Sequence, residues 1–122
     1  EVSVESISWQ GKHHIITITD KVTTGEPYFV ELAHHQPSAL SNEIQEKIKS
    51  ETLKALNALE VKFGASHSEF KITNEGKVYA IEVGARMGGD FIGSDLVYLS
   101  TGYDFVKGVI DVSLGQFSLP II

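Results

Sequence analysis

The sequence predicts an α+β fold, a mostly antiparallel sheet with helices packed on one face. Three observations predict it. Polar and apolar residues alternate along 1–20, in "PYFVELAH" and along 64–83, with turn residues at the ends of each run. A single long stretch near 42–60 repeats at helical spacing instead. Two shorter helical stretches complete the chain.

Taken in order, residues 1–20 read as two strands joined at Gln10-Gly11-Lys12. "PYFVELAH" from Pro27 is a third extended segment, entered through the Thr23-Thr24-Gly25-Glu26 loop. Ile44, Ile48, Leu53, Leu56 and Leu59 then recur at helical period behind Ser41 or Asn42 as cap, which predicts a helix over 42–60. "GASHSEFKITNEGKVYAIEVGA" reads as a hairpin turning at Asn74-Glu75-Gly76. Phe91 to Leu99 reads as a short helix begun by Asp90, and "YDFVKGVIDVSLG" as a last helix closed by Gly115.

Length and composition bound the function. A chain of 122 residues, 42% hydrophobic and 21% charged, supports one globular domain with one core. The net charge of -6 argues against a nucleic-acid partner, which would need a basic face. No apolar run approaches a membrane span, and no basic amphipathic helix suggests membrane docking. The absence of cysteine removes disulfides and thiolate metal sites and fits a reducing cytoplasm. Carboxylates can still hold a hard cation. Glu1 reads as a cut point and the apolar tail "QFSLPII" as a second cut edge.

The hairpin places two acids within reach of each other. An even turn sets Ile72 against Lys77 and Glu69 against Ala80, with Glu82 diagonal to Glu69. His67, Glu69 and Lys71 then share a face with Val78, Ala80 and Glu82, while Phe70, Ile72, Tyr79, Ile81 and Val83 form the core side. Two carboxylates that close repel unless a cation lies between them, and oxygen-only ligands suit Mg²⁺. Spacing alone fits two solvated acids on an exposed sheet face equally well.

"GARMGGD" follows, carrying Arg86, the single arginine of the chain. Gly84, Gly88 and Gly89 let backbone approach a ligand and tolerate positive φ. Asp90 opens a helix whose amides are free for an anion, and Arg86 can clamp a phosphate beside them. A glycine loop with a surface arginine is also an ordinary flexible turn. Acid, acid, arginine and glycines in this order supply what a metal–phosphate site requires.

These residues resemble the ATP-grasp superfamily. "SHSEFK", a turn and "VYAIEVGAR" look like its paired-acid hairpin. "EVSVESISWQGKHHIITITDK", "PYFVELAHHQPSAL" and "STGYDFVK" are similar to segments around that hairpin, so the resemblance covers nearly the whole chain. The likeness is closest to carboxylate–amine ligases, including L-amino-acid ligases that make dipeptides. It implies ATP and Mg²⁺, with Mn²⁺ able to replace it, and small-molecule carboxylate and amine substrates joined through an acyl-phosphate. By the resemblance, Glu69 and Glu82 are the metal ligands and bind the nucleotide phosphates through the metal. Arg86 is catalytic, steadying the transferred phosphate. Glu31 and His34, with Gly88 and Gly89, line the substrate pocket. His67 is a hydrogen-bonding support on the metal face, and His13, His14 and His35 face solvent. Gly84 stands where many members have an Asn that helps hold a second metal.

The resemblance further implies that 1–122 is one domain of a longer cytoplasmic ligase. It lacks that ligase's N-terminal and lid domains and is inactive alone. Carboxylases and purine-biosynthetic ligases of the same superfamily, and a non-catalytic nucleotide- or metal-binding module, remain alternatives.

Overall fold

A computed structural model describes all of residues 1–122. Five antiparallel strands form one sheet in the order β3-β2-β1-β4-β5. They are β1 (Val2–Trp9), β2 (Lys12–Thr23), β3 (Glu31–His35), β4 (Gly64–Ile72) and β5 (Val78–Gly84). Helix α1 spans Asn42–Ala58. A π-helical turn, Ile92–Leu96, runs directly into α2 (Val97–Thr101), and α3 covers Phe105–Ser113. No helix is long and apolar enough to cross a membrane.

β1 lies between β2 and β4, so its alternation decides what each face carries. Val2 and Val4 project to one side and meet Ile18, Phe70 and Ile48 of α1. Ser3, Glu5 and Ile7 project to the other. There Ile7 joins Ile16, Ala65, Val97, Phe105 and Val112 beneath α2 and α3. The α+β class and the antiparallel sheet agree with the sequence. The helices divide between the two faces, because β1 offers Val2 and Val4 to one core and Ile7 to the other.

The expected helix over 42–60 is α1, capped by the Ser41 side chain accepting from the Ile44 amide. Ile48, Thr52 and Leu56 form its buried stripe, while Leu53 and Leu59 stay exposed. α3 begins at Asp104, whose carboxylate accepts from the Lys107 amide, and Gly115 follows its end at φ +75°.

Two local expectations change. The hairpin pairs Ile72 with Val78 and Phe70 with Ala80, and then carries a bulge at Ile81, so Glu69 lies directly opposite Glu82 rather than diagonal to it. Val78 therefore packs toward the α1 core with Ile72, while Tyr79 and Ile81 are more than half exposed instead of forming a core side. Asp90 does not cap a helix. It and Phe91 hold left-handed conformations at φ 51° and 60°, and the π-turn starts after them.

Candidate functional site

The face that carries Ile7 becomes polar toward the other end of the strands. Glu5 of β1, Lys21 of β2, Glu31 and His34 of β3, and His67 and Glu69 of β4 share this face by register. Lys21 pairs with His34, Thr23 with Glu31, Glu5 with His67, and Ser3 with Glu69. The Arg86–Ile92 segment folds over them and closes a cleft of about 380 Å³. Its walls include Lys21, Glu31, His34, Glu69, Arg86 and Asp90.

Lys21 is the electrostatic centre. Its side chain is 6% exposed, and its Nζ lies 2.5 Å from Glu31 Oε1 and 2.9 Å from Glu69 Oε1. Burial works against the ammonium charge, but hydrogen bonds and charge attraction from Glu31 and Glu69 outweigh it and raise the Lys21 pKa. Burial likewise opposes ionisation of Glu69, and Lys21 and then His67 overcome it, lowering the carboxyl pKa. Glu69 is thus held as a carboxylate beside a fixed cation.

A second chain of contacts runs beneath the cleft. The Glu5 side chain is completely buried. One of its oxygens is hydrogen-bonded to His67 Nδ1, and the other accepts from the Gly88 amide at 2.8 Å. His67 Nε2 lies 3.3 Å from Glu69 Oε1. Burial would lower the His67 pKa, but Glu5 first and Glu69 second raise it.

At the β3 rim, His34 Nε2 lies 3.3 Å from Asp90 Oδ2 and 3.6 Å from Glu31 Oε2. Its Nδ1 is buried without a hydrogen-bond partner. Arg86 is more open, with Nη2 at 4.0 Å from Glu82 Oε1 and Nη1 donating to the Met87 carbonyl at 3.0 Å.

The residues singled out in the sequence therefore gather at one place, with differences of detail. Glu69, Arg86, Glu31, His34 and Gly89 line the cleft, and Glu82 stands beside it as the cross-strand partner of Glu69. Gly88 lies beneath, and its amide is already taken by Glu5, so it is not free for an anion. Gly84, Gly88 and Gly89 do not have positive φ. Gly88 is required by close approach instead, since a Cβ there would lie 2.6 Å from Glu5 Oε1 and 2.8 Å from His67 Nδ1.

Sequence reading missed Glu5 and Lys21. For Glu5 there was a signal, a lone acid on the Ile7 side of an otherwise uncharged "VSVESISW" strand. Lys21 gave none, because a lysine ending a strand is ordinary.

Chemically, the face offers carboxylates to a divalent ion and Lys21 and Arg86 to an anion. The ATP-grasp domain family matches residues 1–95. Alanine–anticapsin ligase of Bacillus subtilis (strain 168) is 34% identical over 88 residues, which is 72% of this chain and 18% of that protein. The crystal structure of L-amino acid ligase from Bacillus licheniformis superposes with a TM-score of 0.85 at 33% identity, covering 91% of this chain and 28% of that one. The biotin carboxylase–β,γ-ATP complex from Campylobacter jejuni gives 0.80 at 21% identity over 98% and 26%, a likeness of fold alone. The chain thus spans less than a third of each of these proteins. With 95 of its 122 residues matched and the cleft on the sheet face described above, the chain belongs to the ATP-grasp domain family.

Proposed function

We propose that this chain is the metal- and phosphate-binding lobe of a longer ATP-dependent carboxylate–amine ligase. The observation that carries the reading is the Glu69–Glu82 pair, two acids directly opposed on neighbouring strands, with Glu69 in the wall of the cleft that also holds Lys21 and Arg86. Opposed carboxylates can share a cation between them, and an oxygen-only donor pair suits Mg²⁺, with Mn²⁺ as its substitute. Both contacts to Glu69 fall on Oε1, leaving Oε2 for such an ion. Gly84 has no side chain to offer as a further ligand.

When bound, the ion would neutralise the nucleotide phosphates. The chain's own groups do the rest. Arg86 and Lys21 bind the oxygens of the transferred phosphoryl group and hold it in line with the attacking substrate carboxylate. That carboxylate takes the γ-phosphoryl group, ADP leaves, and an acyl-phosphate results. An amine then attacks the acyl carbon and inorganic phosphate departs. Glu31, with His34 and Gly89, lines the wall where the substrates sit, and its carboxylate suits an ammonium group, the group it already contacts on Lys21.

The identities of 33–34% to two ligases, against 21% to a carboxylase, favour amine ligation over carboxylation. The parent protein would work in the cytoplasm, and its N-terminal and lid portions would complete the adenine and substrate pockets. The isolated chain is then inactive.

Glu82→Ala in the full-length enzyme tests the reading. Glu82 is largely exposed, so the fold should survive. Loss of Mg²⁺-dependent ADP and phosphate release is expected; turnover like that of the wild type would refute the site.

A further inference from the structure

Glu5 cannot touch a substrate, since its side chain is fully buried in the middle of the sheet. A carboxyl group in that position is costly unless both of its oxygens find hydrogen-bond partners. Glu5 has two such partners, and they belong to different parts of the site. One oxygen holds the His67 ring on β4, and the other holds the Gly88 amide in the loop after β5. From there the connections reach the cleft directly. His67 turns its Nε2 to Glu69 Oε1 at 3.3 Å, and Gly88 stands between Arg86 and the Gly89–Asp90 turn that lines the cleft.

We infer that Glu5 is a positioning residue that fixes the Glu69 carboxylate and the Arg86–Asp90 loop relative to each other, acting through His67 and Gly88. The absence of a side chain at residue 88 fits this role. A Cβ there would come within 2.6 Å of Glu5 Oε1, 2.8 Å of His67 Nδ1 and 3.1 Å of Ile92 Cβ, so the loop lies directly on the buried pair. A second arrangement of the loop would leave the Glu5 oxygen unpaired. The carboxylate therefore selects the one in which Arg86 borders the cleft. Supporting hydrogen bonds of this kind typically change metal affinity by about 10- to 100-fold when removed.

The inference rests on the reading of Glu69 as a metal ligand, and the experiment separates the two. In the full-length enzyme, Glu5→Gln preserves shape but replaces one acceptor by a donor, so either the Gly88 amide loses its acceptor or His67 Nδ1 is left to accept and can no longer donate. Three quantities are read: Mn²⁺ affinity by electron paramagnetic resonance, exchange of the Gly88 amide by NMR, and kcat. Glu82→Ala is run beside it.

The expected result is Mn²⁺ affinity and kcat each lower by about tenfold or more, with faster Gly88 exchange and an unchanged circular-dichroism spectrum. Wild-type Mn²⁺ affinity and Gly88 exchange in Glu5→Gln, with Glu82→Ala inactive, would overturn the positioning role and leave the ligase reading standing. An active Glu82→Ala would sink the ligase reading instead; Gly88 exchange would then still decide whether Glu5 holds the loop.

If Glu5→Gln does not fold, His67→Asn replaces it. Its amide can still donate to Glu5 but cannot reach Glu69. Weaker Mn²⁺ binding with a protected Gly88 amide supports the chain of contacts, and wild-type Mn²⁺ affinity overturns it.

Discussion

Glu69 faces Glu82 across the β4–β5 ladder because β5 carries one extra residue, Ile81, at that point. In an unbulged strand Ala80 and Glu82 would share a face. Here Ala80 goes with Phe70 toward the α1 core, and Glu82 goes with Glu69 toward the cleft. Like charges directly opposite each other destabilise a sheet by a few tenths to about 1 kcal/mol. Glu82→Gln should therefore raise the urea midpoint slightly in EDTA. Added Mg²⁺ should stabilise the wild type more than the variant and remove the difference. An unchanged midpoint in EDTA would mean that the two carboxylates do not interact.

The glycine loop yields a contrast between neighbours. A methyl group at Gly88 meets Glu5, His67 and Ile92, the first of which is fully buried and none of which has room to retreat. Overpacking of that kind costs about 1–3 kcal/mol. A methyl group at Gly89 meets nothing within 4 Å, and its φ is not positive. Gly88→Ala should lower the unfolding midpoint clearly and Gly89→Ala hardly at all. Equal losses would show that loop flexibility, rather than contact with the buried pair, sets the requirement.

That contrast also marks what the sequence could convey. The limits of α1 and the two tight hairpins were legible because their signals are local: a cap at Ser41, a helical period, and turns at Gln10-Gly11 and around Asn74-Glu75-Gly76. Glu69, Glu82 and Arg86 were legible as a group because they lie within one hairpin and its exit. The bulge at Ile81 was not, since alternation in "VYAIEV" fits a regular ladder as well as a broken one. Glu5 and Lys21 acquire much of their meaning from His67 and Glu69, 62 and 48 residues away, which no local pattern reports. The glycines were read as conformational and proved, at Gly88, to be steric.

Tyr103 contributes to the loss of stability in alkali. Burial first, then the charges of Asp111 and Asp104, raise its pKa above the ordinary value of 10.0. The folded state thus holds the phenolic proton more tightly than the unfolded chain. The resulting stability is complete below pH 10 and is lost as pH rises through the higher folded-state value. Lys107 lines the same small cavity, and its salt bridge to Asp111 raises its own pKa, so its contribution is also lost on the alkaline side and persists in Tyr103→Phe. Thermal midpoints across this range should fall in the wild type and fall less in Tyr103→Phe. Parallel curves would remove Tyr103 as the cause.

Lys21 supports the last prediction, in which a divalent ion takes over a side chain's charge. Its ammonium lies between Glu31 and Glu69, with Glu82 across the ladder from Glu69. Lys21→Met keeps the length of the stem and deletes the charge, leaving Glu31 and Glu69 without the cation they share. Glu31 and Glu69 are partly exposed, so solvent screens the loss, and a cost of about 1–2 kcal/mol is expected rather than that of a buried pair. Any ion that binds only the folded state adds stability in proportion to the logarithm of its concentration over Kd. Mg²⁺ should therefore raise the urea midpoint of Lys21→Met more than that of the wild type, because it no longer competes with an ammonium for Glu69. Turnover should not return with stability, since the variant lacks the cation proposed to meet the transferred phosphoryl oxygens. A variant that Mg²⁺ stabilises no better than the wild type would mean that the ion does not bind beside Lys21. Recovery of full turnover at saturating Mg²⁺ would reduce Lys21 to a structural counter-charge.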